Sequence, residues 1–388
     1  MHAEELMTID APEGTTSFEP PRRVLMGPGP SDVHARVLAA MARPTIGHLD
    51  PEFVRMMDEL KELLRYAFQT ENRVTFPVSG PGSVGMETCF VNLVEPGDKV
   101  LVCRNGVFGG RQLENVTRSG GVPVVVDDDW GTPVSPEKVA AALDADADVR
   151  IVSFVHGETS TGVRSDAAAL AAIAHEHDAL VIADTVTTLG GCPVLVDEWQ
   201  LDAVYSGSQK CLSCTPGLSP VTFGERALEK VRARTTTCQS WFMDLNLVLP
   251  YWDGGTRTYH HTAPINPLYG LHEALIMLAE EGLEAAWKRH ADNHAALVSG
   301  LEAMGLSMLV DPAHRLPQLN TVCVPEGVDD AWVRSEALQR YGLELGNGLG
   351  VLAGKVWRIG LMGAASTPQN VTLCLDALET LLAESAAR

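Results

Sequence analysis

A chain of 388 residues, 45% hydrophobic and 20% charged, is long enough to bury a large core as two domains or one elaborated domain. Its formal net charge of −21 argues against nucleic acid or an anionic membrane as partner, because neutralising phosphates needs clustered Lys and Arg. A small anionic substrate must therefore be captured by local positive groups, against the overall field.

The stretch 1–23 is acidic and has neither a basic leader nor an apolar segment. We expect a tail, flexible or packed on a partner subunit, and a reducing cytoplasm. Asp50-Pro51 has the form of an N-cap with proline at the first helical position, and Phe53, Val54, Met57, Leu60 and Leu64 follow at helical spacing. Gly80-Pro81-Gly82-Ser83-Val84-Gly85 then lies between a strand-like run (74–78) and a helix-like one (86–93). Glycines in that position let the backbone approach an anion at a helix N-terminus. Short β-branched runs (99–103, 122–126, 150–155, 179–184) alternate with helical stretches (135–143, 166–177), which predicts a largely parallel sheet covered on both faces. After about Pro267 long helical stretches lead to two strand-like pieces (320–324, 355–363) and a final helix, the pattern of a smaller α+β domain. The expected division is a tail over 1–23, a large domain over 24–281 and a small domain over 282–388, with the ligand site in the cleft between domains.

Eight cysteines in so long a chain are no disulfide framework. Cys211 and Cys214 form one C-x-x-C without the second pair or His ligands that zinc needs, so packing near a buried loop is the better reading and no metal is expected.

Ligands of parallel sheets bind beyond the carboxyl ends of the strands. Asp184 closes "LVIAD", Thr159 lies just past a strand in "FVHGETSTGV", and Lys210 sits in "YSGSQKCLSCTPGLSPVTF" between an apolar entry and a strand-like exit. Pyridoxal 5′-phosphate needs this combination. A desolvated lysine bonds its aldehyde, an aspartate faces its pyridine nitrogen, a hydroxyl reaches its ring oxygen, and a glycine turn holds its phosphate.

Taken together, "MGPGPSDV", "HGETSTGV", "SGSQK", "YHHTAP" and "GKVWRIGLMG" resemble the alanine–glyoxylate/serine–pyruvate aminotransferases, a branch of the class V, fold-type I pyridoxal-phosphate enzymes, over nearly the whole chain. The resemblance implies an α/β fold, with a mainly parallel seven-stranded sheet between helices and a smaller C-terminal α+β domain. It implies that Lys210 bonds the coenzyme and moves the substrate proton, that Asp184 pairs with the ring nitrogen and that Thr159 contacts the ring oxygen. Phe108 would stack on the ring where close relatives often carry Trp, and Gly82, Ser83, Val84 and Gln209 would lie at the phosphate. It implies a homodimer whose second subunit adds Tyr259 and Thr262, and a substrate site of Arg358, Gly29 and His48. An Arg inside "VWRIGLMG" independently calls for an anionic partner, and a bidentate contact suits an amino acid's α-carboxylate.

The implied reaction is ping-pong transamination, from alanine or serine to glyoxylate or pyruvate. No second cationic pocket for a dicarboxylate is evident in the sequence. The bacterial ureidoglycine–glyoxylate aminotransferases share "HGETSTG", "GGC", "VDEW" and "QKCLS" but typically carry Gln where His48 stands and Asn where Tyr259 stands, which ranks that substrate second. Cysteine desulfurase needs a reactive cysteine on a mobile loop, and no cysteine here has that setting. An NADP-linked oxidoreductase would rest on the glycine turn alone and has no use for Lys210, Asp184 and Arg358.

Overall fold

The computed structural model describes residues 9–253 and 257–386. Thus residues 9–23 of the N-terminal tail are described, exposed and outside any helix or strand, and the first eight lie outside the described residues.

Strand β1 (Val24–Met26) is followed by a first helix, Ala35–Met41, and by the long helix Pro51–Phe68. The latter starts as its sequence demands: the Asp50 side chain accepts from the Glu52 N–H, and Pro51 occupies the first turn. Phe53, Met57, Leu60 and Leu64 are buried, while Val54 lies half-buried at the edge of that face.

The following strands are β2 (Val74–Ser79), β3 (Lys99–Arg104), β4 (Val122–Asp127), β5 (Val149–Val155), the short ribbon β6 (Gly157–Glu158) and β7 (Val163–Arg164), β8 (Leu180–Asp184), β9 (Ala203–Tyr205) and β10 (Leu218–Phe223). Seven of them form one sheet in the order β2-β10-β9-β8-β5-β3-β4. Only β10 runs antiparallel to its neighbours, so β2, β9, β8, β5, β3 and β4 all point the same way. β8 is buried along its whole length and β5 at all but Arg150, as expected for strands covered by helices on both faces. The direction matters for function: the carboxyl ends of β2, β3, β5, β8 and β9 open onto one edge.

Helix Ile265–Glu281 gives way to helix Leu283–Ala303 at Gly282, whose φ of +85° breaks the path. Strands β11 (Leu319–Cys323), β12 (Leu343–Asn347) and β13 (Val356–Gly360) then build a second sheet, in the order β1-β12-β13-β11. β1, first in sequence, pairs in parallel with β12, and its Met26 is buried in the second core beside Leu345, Trp357 and Ile359. The expected boundary at residue 24 groups this strand with the large domain, whereas its hydrogen bonds are made in the small sheet. A three-residue strand carries too little pattern to announce its partner. Residues 27–30 thus cross from the small sheet to the large unit, over the edge described above.

Candidate active site

At that edge Pro81, Gly82, Ser83, Met86, Phe108, Arg111, Thr159, Asp184, Val186, Gln209 and Lys210 line one cavity of about 200 Å³. Most of these residues lie in the loops and first helical turns that follow the carboxyl ends of the strands. Gly82 and Ser83 open helix Gly82–Leu93 directly after β2, and no side chain caps that helix, so its positive end faces an incoming anion. The glycines predicted as a turn before the helix thus include its first residue. Val84 lies in the same turn, its N–H donating to Pro81 O, and is not in the cavity lining.

Lys210 is buried, and desolvation lowers its pKa to about 8. Its ammonium donates to the carbonyl of Pro28, on the segment crossing from β1. Gly29 beside it has φ +109°, and a Cβ there would collide with the lysine side chain. Asp184 is also buried, and desolvation raises its pKa to about 7 although the Val186 N–H donates to its carboxylate at 2.8 Å and the nearby Tyr205 hydroxyl also favours the charged form. The Thr159 hydroxyl pairs with that of Thr187.

Arg358 reaches the site by strand alternation. Trp357 and Ile359 point into the second core, so Arg358 between them points the other way. Its Nη1 donates to Thr159 O at 3.1 Å and its Nε to Asn347 O at 2.7 Å. Burial pulls its pKa down to about 10, and among the described residues no carboxylate forms an ion pair with it. A guanidinium held between carbonyls and left without a counter-ion is arranged for an anionic ligand.

Three predicted residues lie elsewhere. His48 packs against Tyr259, ring centroids 5.3 Å apart, and both Tyr259 and Thr262 are exposed, away from the cavity lining of their own chain.

Other contributors were not singled out from the sequence. Glu158, fully buried, accepts from the N–H groups of Phe108 (3.1 Å), Gly109 (3.3 Å) and Ser160 (3.0 Å) and from the Ser160 hydroxyl (2.5 Å). It therefore anchors the start of helix Val107–Arg118 and with it the Phe108 ring. A carboxylate within the quoted "HGETSTGV" was the available signal. Arg111 places its guanidinium 4.7 Å from the Phe108 ring centroid and lines the cavity, a second cation that spacing did not reveal. Cys211 and Cys214 are buried, their thiols pushed up to about 12 and about 11 by desolvation, which makes them poor nucleophiles.

The residues fit pyridoxal phosphate on physical grounds: an uncapped helix end for the phosphate, a buried Gln209 Oε1 without a hydrogen-bond partner, and a desolvated lysine and aspartate in one cavity. Comparison with known proteins agrees. The family model described as "Aminotransferase class-V" matches residues 29–371. The chain belongs to the class V aminotransferases. It is 40% identical over 368 residues to the alanine–glyoxylate aminotransferase of Oryctolagus cuniculus, covering 94% of this chain and 93% of that one. It is 38% identical over 380 residues to the (S)-ureidoglycine–glyoxylate transaminase of Bacillus subtilis, covering 93% and 91%. Among solved structures, the alanine–glyoxylate aminotransferase of Nostoc sp. superimposes with a TM-score of 0.93 at 45% identity, over 96% of this chain and all of that one. The fold is that of the fold-type I enzymes, and the chain is a pyridoxal-phosphate-dependent aminotransferase.

Proposed function

We propose that the enzyme moves the amino group of alanine or serine to glyoxylate or pyruvate, with Arg358 holding the α-carboxylate of each in turn. The observation that carries this reading is the buried, counter-ion-free Arg358 beside a cavity that contains Lys210 and Asp184. Pyridoxal phosphate, when bound, supplies an aldehyde to receive the amino group and a ring to take up electrons released at the substrate Cα. Gly82, Ser83 and Gln209 would hold its phosphate, with Val84 in the same helix turn, and Phe108 would stack on its ring. Thr159 would donate to its ring oxygen, and Asp184 would keep the ring nitrogen protonated.

Lys210 Nζ, its pKa already lowered to about 8, is available as a nucleophile and then as the base that takes the Cα proton. Pro28 O offers that nitrogen a resting hydrogen bond, and Gly29 leaves it room to swing. Gly29 borders the substrate, and His48, which packs on Tyr259, would come to it with that residue from a second copy of the chain. A second copy of the chain brings Tyr259 and Thr262 to the phosphate, which is supported by their exposure beside His260, on which Trp241, 63% exposed, stacks. All eight cysteines are free thiols, which suits the reducing cytoplasm we propose as its location. Among the described residues no helix is long and apolar enough to cross a membrane.

Ureidoglycine as donor is the second reading, favoured by the likeness to the Bacillus subtilis enzyme. The two positions that separate this chain from that group, His48 and Tyr259, pack on each other. The deciding experiment is the visible spectrum of the holoenzyme on adding L-alanine, L-serine or ureidoglycine, followed by glyoxylate. Bleaching by alanine or serine and recovery with glyoxylate is expected. Bleaching by ureidoglycine alone would replace the donor assignment.

A further inference from the structure

Next to Asp184, among residues outside the cavity lining, lies a buried polar chain. Asp184 and Tyr205 are paired directly in register on the parallel strands β8 and β9, so their side chains leave the sheet on the same face. The Tyr205 ring is fully buried, and its hydroxyl stands close enough to the Asp184 carboxylate to favour the ionised form of that acid. Gln112, on helix Val107–Arg118, sends its Nε2 to both Phe154 O and Tyr205 Oη, each at 3.1 Å.

The direction of the chain follows from what each group can do. A backbone carbonyl only accepts, so Phe154 O forces the NH₂ side of the Gln112 amide toward itself. The other hydrogen of that NH₂ then faces Tyr205 Oη, which must accept it. The single Tyr205 O–H proton remains to be donated, and the Asp184 carboxylate, in register beside it, is the group placed to accept it. The amide oxygen of Gln112 is left buried without a partner, so the side chain keeps this orientation at the expense of one unsatisfied acceptor. The other groups acting on the carboxylate are the Val186 N–H, Glu158 and Lys210, while the buried Cys89 thiol is close enough for the Asp184 charge to raise its pKa.

We propose that Tyr205, oriented by Gln112, is a positioning residue that holds Asp184 ionised and aimed at the coenzyme ring nitrogen, so that the proton stays on the ring. The inference rests on the assignment of Asp184 made above. A tyrosine that merely fills the core and satisfies its hydroxyl would contribute to stability without touching the protonation of the ring.

The experiment compares holoenzymes of wild type, Tyr205→Phe and Asp184→Asn, loaded with pyridoxal phosphate labelled with ¹⁵N in the ring. The readouts are the ring ¹⁵N chemical shift and the coenzyme dissociation constant by fluorescence titration. Tyr205→Phe is expected to move the ¹⁵N resonance toward the neutral-pyridine value and to weaken coenzyme binding about ten-fold, the scale of one lost hydrogen bond to a charged group. A Tyr205→Phe protein with a lower melting temperature but unchanged resonance and affinity overturns the proposal. If Asp184→Asn leaves both readouts unchanged, the assignment of Asp184 fails and the proposal falls with it. Should Tyr205→Phe not fold, Gln112→Met decides: a smaller shift in the same direction supports the relay, and none overturns it.

Discussion

Around Asp184 and Lys210 the polar groups are buried and held by the chain's own backbone and side chains, whereas Tyr259 and Thr262 face outward. The first region is pre-organised by folding of one chain. Desolvation there moves the acid and the base toward neutrality, Asp184 up to about 7 and Lys210 down to about 8. The second region is a strand-free segment from residue 257 whose Tyr259 and Thr262 are exposed on the chain's own surface. Burial tunes chemistry within the chain, whereas under the proposed dimer a second copy would complete the phosphate site.

That contrast can be broken most sharply at Lys210. Lys210→Ala should lower turnover by about 10³-fold or more, since nucleophile and base are lost together, while coenzyme persists non-covalently. Near-wild-type turnover in a steady-state assay would remove Lys210 from the reaction. Arg358→Ala should chiefly raise KM for amino acids, by about 10- to 100-fold for a lost charge-assisted contact. Unchanged kcat and KM would end the carboxylate role.

The outward region calls for a mixing experiment. Tyr259→Ala combined with Thr262→Val should weaken coenzyme binding about ten-fold, measured by titration. Co-refolding this variant with Lys210→Ala should restore part of the activity, because a hybrid dimer keeps one site with both sets of groups intact. Additive loss without restoration would mean that the sites are not shared between copies.

A smaller effect sharpens the buried half. In the coenzyme-free chain the raised pKa of Asp184 gives stability that is present below about 3.8 and lost as pH rises through about 7. The lowered pKa of Lys210 gives stability that is present above about 10.5 and lost as pH falls through about 8. Urea midpoints should therefore fall from pH 4 to 7 and rise from pH 8 to 10.5 through these two groups. Asp184→Asn should flatten the first slope and Lys210→Met the second, each leaving the other in place.

Much of this was legible before the fold. Alternating β-branched and helical runs announced the parallel sheet, and the Asp50-Pro51 cap announced the long helix, because both are local signals. Asp184, Thr159 and Lys210 could be read as strand-end residues for the same reason. Their resemblance to a known family then supplied the rest of the list. Glu158 and Arg111 escaped because their roles depend on what they meet: helix-start N–H groups in one case and an aromatic ring in the other.

The sequence by itself determined the order of elements, the glycine turn and the residue types the chemistry demands, since these depend on neighbours a few positions apart. Tertiary structure alone decided that β1 joins the distant β12, so that residues 27–30 cross the site and Pro28 O meets Lys210. It also decided which way Arg358 points and that Tyr205 stands beside Asp184. Those outcomes depend on register and on which faces are buried between strands far apart in the chain, and no local pattern encodes them.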